Sequence, residues 1–125
     1  MAGSNRPGGR VVRRVYLLLA VLVVLLGLFH TVSTARFFAE LNSRALWFAG
    51  GGLLLVLTGV LNLLNRAYGG IARGVRWTAI STNLVMTAFA ALAGTLGAAS
   101  GIELAGIVGL MAATTLVSML PQARA

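Results

Sequence analysis

Cysteine and lysine are absent from this chain, acidic residues number only two, and His30 is the single histidine. Without cysteine there is no disulfide framework and no thiol nucleophile. One histidine cannot make a metal site by itself, and no metal and no other cofactor is expected. The sequence also lacks a glycine-rich phosphate loop and a nucleophile–base constellation. Charge itself is scarce: 10% of residues are charged and 58% are hydrophobic. A soluble domain carries about 25% charged residues, which argues against a soluble globular fold. At 125 residues there is room for one compact unit.

What is present is four uncharged stretches, residues 15–35, 45–65, 77–102 and 104–123, with charge at every break between them. The hydrocarbon core of a bilayer takes about 20 apolar residues per helix. The expected fold is therefore an all-α integral membrane protein, a four-helix transmembrane bundle with short loops. Its helices are expected at about 13–33, 45–65, 77–97 and 102–121, in one domain over 11–125. The segment 1–10 is polar, with Gly, Ser and Pro, and reads as a disordered basic tail.

All ten basic residues are arginine, and their placement is uneven. Arg6, Arg10, Arg13 and Arg14 precede the first stretch, Arg66, Arg73 and Arg76 lie between the second and third, and Arg124 follows the fourth. Only Arg36 and Arg44 fall on the other side, together with Glu40, while Glu103 stands between the last two stretches. The positive-inside rule then puts both termini in the cytoplasm. Arginine used throughout in place of lysine reads as coding bias, as in a GC-rich bacterium, so a bacterial inner membrane is the expected location. A net charge of +8 would suggest nucleic acid in a soluble protein. Here orientation and contact with anionic lipid account for it, and no nucleic-acid partner is expected. Arg13-Arg14, an apolar run and Ser33-Thr34-Ala35 also follow the order of a signal peptide. Cleavage there would leave three spans.

The first stretch is almost wholly Leu and Val over 17–28, without a polar face, as suits a helix facing lipid. Residues 34–44 place Phe37, Phe38 and Leu41 at helical spacing beside Arg36, Glu40 and Arg44, which predicts a small amphipathic helix lying in the interface between helices 1 and 2. Trp47 marks one headgroup level, and Tyr16, Tyr68 and Trp77 mark the other.

Small residues recur every four positions in helix 4, at Gly101, Ala105, Gly109 and Ala113, and in helix 3 at Ala90 and Gly94. Such spacing lets backbones touch where lipid supplies no hydrophobic drive for association, so helices 3 and 4 are expected to be tight antiparallel neighbours. Gly50-Gly51-Gly52 and Gly59 form a further packing notch in helix 2. A faint repeat relates Leu54, Thr58 and Asn62 to Leu110, Thr114 and Ser118 at a constant offset.

Polar groups within hydrocarbon are costly unless paired, so each is a candidate site residue. His30 and Glu103 lie at similar depth on one side and suit a proton-linked pair. Thr58, Asn62 and Asn65 share a face of helix 2, opposite Asn83 on helix 3, and are read first as interhelical hydrogen bonding. Arg36 and Arg44 suit an anion or headgroup clamp. In size alone the chain resembles the small multidrug transporters, whose membrane-embedded acid in helix 1 has no counterpart here. The leading expectation is a non-enzymatic multi-pass membrane protein that binds a lipid or apolar ligand, or supports a larger membrane complex. A homo-oligomeric transporter or channel lined by His30, Glu103, Asn62 and Asn83 comes second. A membrane-embedded enzyme using His30 and Glu103 comes third.

Overall fold

A computed structural model describes residues 7–97 and 100–124. Within them the chain forms four helices, α1 (Pro7–Phe37), α2 (Ser43–Tyr68), α3 (Arg73–Thr95) and α4 (Gly101–Met119), and a final 3-10 turn over Pro121–Ala123. The described residues contain no strand. All four helices are long and apolar enough to cross a membrane. They run as two antiparallel hairpins, so one end of the bundle carries the α1–α2 and α3–α4 connections. The opposite end carries the chain termini and the α2–α3 connection.

Local chemistry sets the boundaries. Asn42 caps α2, its side chain accepting from the Ala45 N–H at 3.0 Å. Ser100 and Glu103 form a reciprocal capping box at the start of α4, each side chain accepting from the other's backbone N–H. Gly97, at φ +70°, turns the chain after α3 through the left-handed region that side-chain-bearing residues avoid. Pro121 cannot continue α4, and the chain tightens there into its 3-10 turn.

Two expectations about α1 are corrected. Residues 7–10, assigned to a disordered tail, form its first turn, with Pro7 pre-set for a helix start; residues 1–6 of that tail lie outside the described ones. The separate amphipathic helix between helices 1 and 2 does not form. Instead α1 continues through Arg36 and Phe37, and the Asn42 cap starts α2 so soon that 38–42 is left as a short connection.

Nor is α1 a purely lipid-facing helix. Tyr16, Ala20, Val23 and Gly27 recur at three- and four-residue spacing and are buried. They face α2 along a seam where the two backbones approach very closely. A Cβ built on Gly27 would stand 2.6 Å from the Gly52 carbonyl oxygen and 2.6 Å from the Val56 nitrogen. One on Gly59 would stand 2.8 Å from the Val24 nitrogen and 2.9 Å from the Ala20 carbonyl oxygen. Only glycine fits at these points. The closest backbone contact is therefore made by the first hairpin, not the second.

Helices α3 and α4 do pair, but not through the stripe Gly101, Ala105, Gly109. Gly94 receives the Leu104 side chain, and the Thr87 and Thr115 hydroxyls meet at 3.2 Å. The α4 face turned inward is Leu104, Met111, Thr114, Thr115 and Ser118. The four-residue stripe lies on another side of α4: Gly101, Ala105 and Gly109 are exposed, with open space where a Cβ of either glycine would stand, and Ala113 is half-buried. One apolar side chain from each helix, Val23, Leu55, Met86 and Met111, makes the central core. The repeat has a local counterpart: Thr58 and Thr114 both donate to the carbonyl four residues back, on Leu54 at 2.7 Å and Leu110 at 2.8 Å.

At the termini end the 3-10 turn folds under the bundle and buries Ala123, and Arg124 Nη1 donates to the Ser118 carbonyl at 2.9 Å. Burial, and then the neighbouring Arg76, lower the Arg124 pKa from the usual arginine value; a guanidinium stays charged through such a shift.

We expect Gly59→Leu to force α1 and α2 apart and to destabilise the bundle by about 1–3 kcal/mol or more, the usual cost of overpacking. Gly109→Leu, which meets open space, is expected to leave stability unchanged. Thermal unfolding of both variants in the same detergent checks this, and equal losses would refute the seam.

Candidate functional site

Polar side chains collect in two places, and the two differ in kind. The first is a buried hydrogen-bonded cluster towards the termini end. The Tyr16 hydroxyl donates to Asn62 Oδ1 at 2.7 Å and accepts from Asn65 Nδ2 at 2.8 Å. Asn62 Nδ2 donates to Asn83 Oδ1 at 2.7 Å and to the Thr58 carbonyl at 2.8 Å. Asn83 Nδ2 returns a bond to Asn62 Oδ1 at 2.8 Å. Tyr16, Asn62, Asn65 and Asn83 are all fully buried.

The Asn62 amide thus uses both its N–H donors and accepts two bonds on its oxygen, leaving no hydrogen-bonding capacity for anything else. Its partners come from α1, α2 and α3, so the cluster fixes the mutual register of three helices. Around it, Thr87 donates to the Asn83 carbonyl at 2.7 Å and Thr115 to the Met111 carbonyl at 2.7 Å, which satisfies the neighbouring hydroxyls within their own helices. These bonds join α1, α2 and α3 across the interhelical contacts that the spacing of Thr58, Asn62 and Asn83 allows.

Tyr16 is the member that sequence reasoning placed elsewhere, at the headgroup level. It follows Arg13-Arg14, where a tyrosine resembles an interfacial anchor. The signal that identifies it is its heptad-like position with Ala20, Val23 and Gly27, which aims it at α2. Tyr68, Trp77 and Trp47 keep the exposure that an interfacial belt requires, at 52%, 59% and 78%.

The second place lies towards the two-turn end, where the hairpins part. A cleft of about 390 Å³ opens between α2 and the α3–α4 pair, lined by Leu55, Met86, Phe89, Ala90 and Leu104, with Arg44 among its bordering residues. A second, of about 850 Å³, opens between α1 and α4, lined by Leu22, Leu26, Phe29 and Leu110, with Ser33 and Glu103. His30 and Phe48 belong to the walls of both. Their rings stack at 3.8 Å between centroids, inclined by 19°, and make a partition between the clefts. Phe37 and Phe38 brace Phe48, with centroids at 5.9 and 5.6 Å.

The candidate residues are thereby sorted. His30 and Glu103 line one cleft together. Glu103 is exposed, and its Oε2 is held by the Ser100 N–H at 3.0 Å and hydroxyl at 2.9 Å. Arg44 borders the other cleft; Arg36 lines neither. Asn62, Asn83 and Thr58 line neither of these two clefts. Ala90 and Gly94, expected as packing residues, line the smaller cleft as well. Among the described residues no group of three His, Cys, Asp or Glu gathers to hold a metal ion. Comparison with protein-family models, characterised proteins and solved structures returns no match. The site's chemistry is the ground for a functional reading.

Replacing Asn62 or Asn83 singly with Leu leaves the other amide buried without its partner, a loss of about 1–3 kcal/mol in a water-referenced scale and about 0.6 kcal/mol per contact within membranes. We expect the double variant to lose less than the sum of the singles, because it leaves no orphaned amide of the pair. A double-mutant cycle on unfolding free energy measures this; strict additivity would mean the pair carries no coupling.

Proposed function

We propose that this chain is a small non-enzymatic multi-pass membrane protein that holds an apolar or lipid ligand between its two helical hairpins, near the two-turn end. The observation that carries the reading is the smaller cleft: concave, walled by Leu55, Met86, Phe89 and Leu104, and bordered by a single charged group, Arg44. Ligand pockets of about 300–1,000 Å³ are typically of this make, mostly apolar with a few placed polar groups. Arginine at the border suits the phosphate or carboxylate of an amphiphile whose chain lies within.

The Asn62–Asn83 pair supports retention of a ligand rather than its passage through the bundle, since the Asn62 amide spends all its donors and acceptors on its neighbours. The arginine asymmetry supports both termini lying in the cytoplasm of a bacterial-type inner membrane, with the clefts towards the outer leaflet. Partnership in a larger complex, or with further copies, is proposed for the exposed Gly101, Ala105 and Gly109 face of α4, where a second helix would meet no bulky side chain.

A palmitate carrying a diazirine on its chain, photolysed with the protein in nanodiscs, tests the reading. Labelling is expected on Phe89 and Ala90 in preference to Leu84 and Val85, exposed residues of the same helix that lie outside the cleft. Ala90→Phe is expected to suppress that labelling severalfold. Even labelling around α3 would sink the proposal.

A further inference from the structure

The two clefts are not independent. They diverge from one partition, the His30–Phe48 stack, with Ile107 also in both walls. Each has one charged side chain in its lining, and the charges are opposite: Arg44 in the smaller cleft and Glu103 in the larger. The charge of this end as a whole is balanced. Arg36 and Arg44 share this end with Glu40 and Glu103, whereas every charged residue described at the termini end is an arginine. An anionic ligand would be favoured by the termini end. A balanced end with one cation and one anion flanking a pair of apolar clefts favours a ligand that is itself zwitterionic.

We infer that the ligand is a two-chain zwitterionic phospholipid straddling the His30–Phe48 partition, with one acyl chain in each cleft, its phosphate towards Arg44 and its ammonium towards Glu103. The inference rests on the reading of the clefts as a ligand site and adds the ligand's class. Two separate apolar grooves meeting at one aromatic wall suit two chains joined at a single headgroup. Arg44 offers a planar donor fork to phosphate oxygens. Glu103 keeps Oε1 available, because the bonds from Ser100 both fall on Oε2. Gly106, in the lining of the larger cleft, has open space where a side chain would stand and leaves room for a chain against α4.

The test is native mass spectrometry of protein exchanged into mild detergent with equimolar dioleoyl phosphatidylethanolamine, dioleoyl phosphatidylglycerol and oleic acid. The wild type is expected to retain one phosphatidylethanolamine in preference to the others. Arg44→Gln and Glu103→Gln, the latter preserving the capping box, are each expected to cut that preference about threefold, the scale of an exposed ion pair. Ala90→Phe blocks one cleft and Gly106→Phe the other, and each alone is expected to abolish retention. Preference for phosphatidylglycerol or oleic acid in the wild type overturns the zwitterionic assignment and leaves a ligand site standing. Loss with Ala90→Phe but full retention with Gly106→Phe overturns the straddling and keeps a single-chain site. Failure of the wild type to retain any of the three overturns the ligand reading as well. The wild-type competition stays decisive for the lipid class even where a blocking variant fails to fold.

Discussion

The close approach of α1 and α2 at Gly27, Gly52 and Gly59 is the constraint on which the rest of the bundle depends. In hydrocarbon there is no hydrophobic drive between helices, because lipid tails are as apolar as leucine, so association rests on van der Waals contact and hydrogen bonds. Both need proximity. The glycines let two backbones touch where any Cβ would strike a carbonyl or amide of the facing helix. Once that seam closes, Tyr16 lies against Asn62, and Asn62 is presented to Asn83. The third helix is thus docked by a reciprocal amide pair whose orientation was set by the first two.

The same seam shapes the opposite half. Phe48 stacks on the His30 ring from α2. The first hairpin therefore ends in a rigid aromatic wall. The second hairpin, closed by Gly94 against Leu104 and by Thr87 against Thr115, meets it tightly only below the partition. Above it the hairpins part, and the clefts are what remains. Polar groups follow this division. Neutral amides and hydroxyls, bonded to one another through Asn62, fill the closed half, while Arg44 and Glu103 stand beside the open half.

Much of this was legible in the residues. Four helices follow from four uncharged stretches of spanning length, because in lipid every backbone group must be bonded within its own segment. The face Thr58, Asn62, Asn65 and its facing Asn83 followed from three- and four-residue spacing. The small-residue stripe of α4 misled, because spacing identifies a face that permits close approach without naming what approaches it; Leu104, not Gly101 or Ala105, is turned to α3. Tyr16 misled for a related reason, since an aromatic residue beside arginines looks interfacial until its neighbours on the helical face are paired with those of α2. The interfacial helix between α1 and α2 was overestimated, because amphipathic spacing is a weak prior where a cap and a helix end compete for the same few residues.

Composition and periodicity alone determined the number of helices, their class, the uneven arginine distribution and the polar face of α2, since each depends only on local sequence and the bilayer's thickness. The tertiary structure alone decided which helices touch at their backbones, that Tyr16 completes the amide cluster, and that His30 and Phe48 divide two clefts bordered by Arg44 and Glu103. Those are relations between residues far apart in the chain. They are set by how helical faces rotate and pack against one another, and no single segment carries that information.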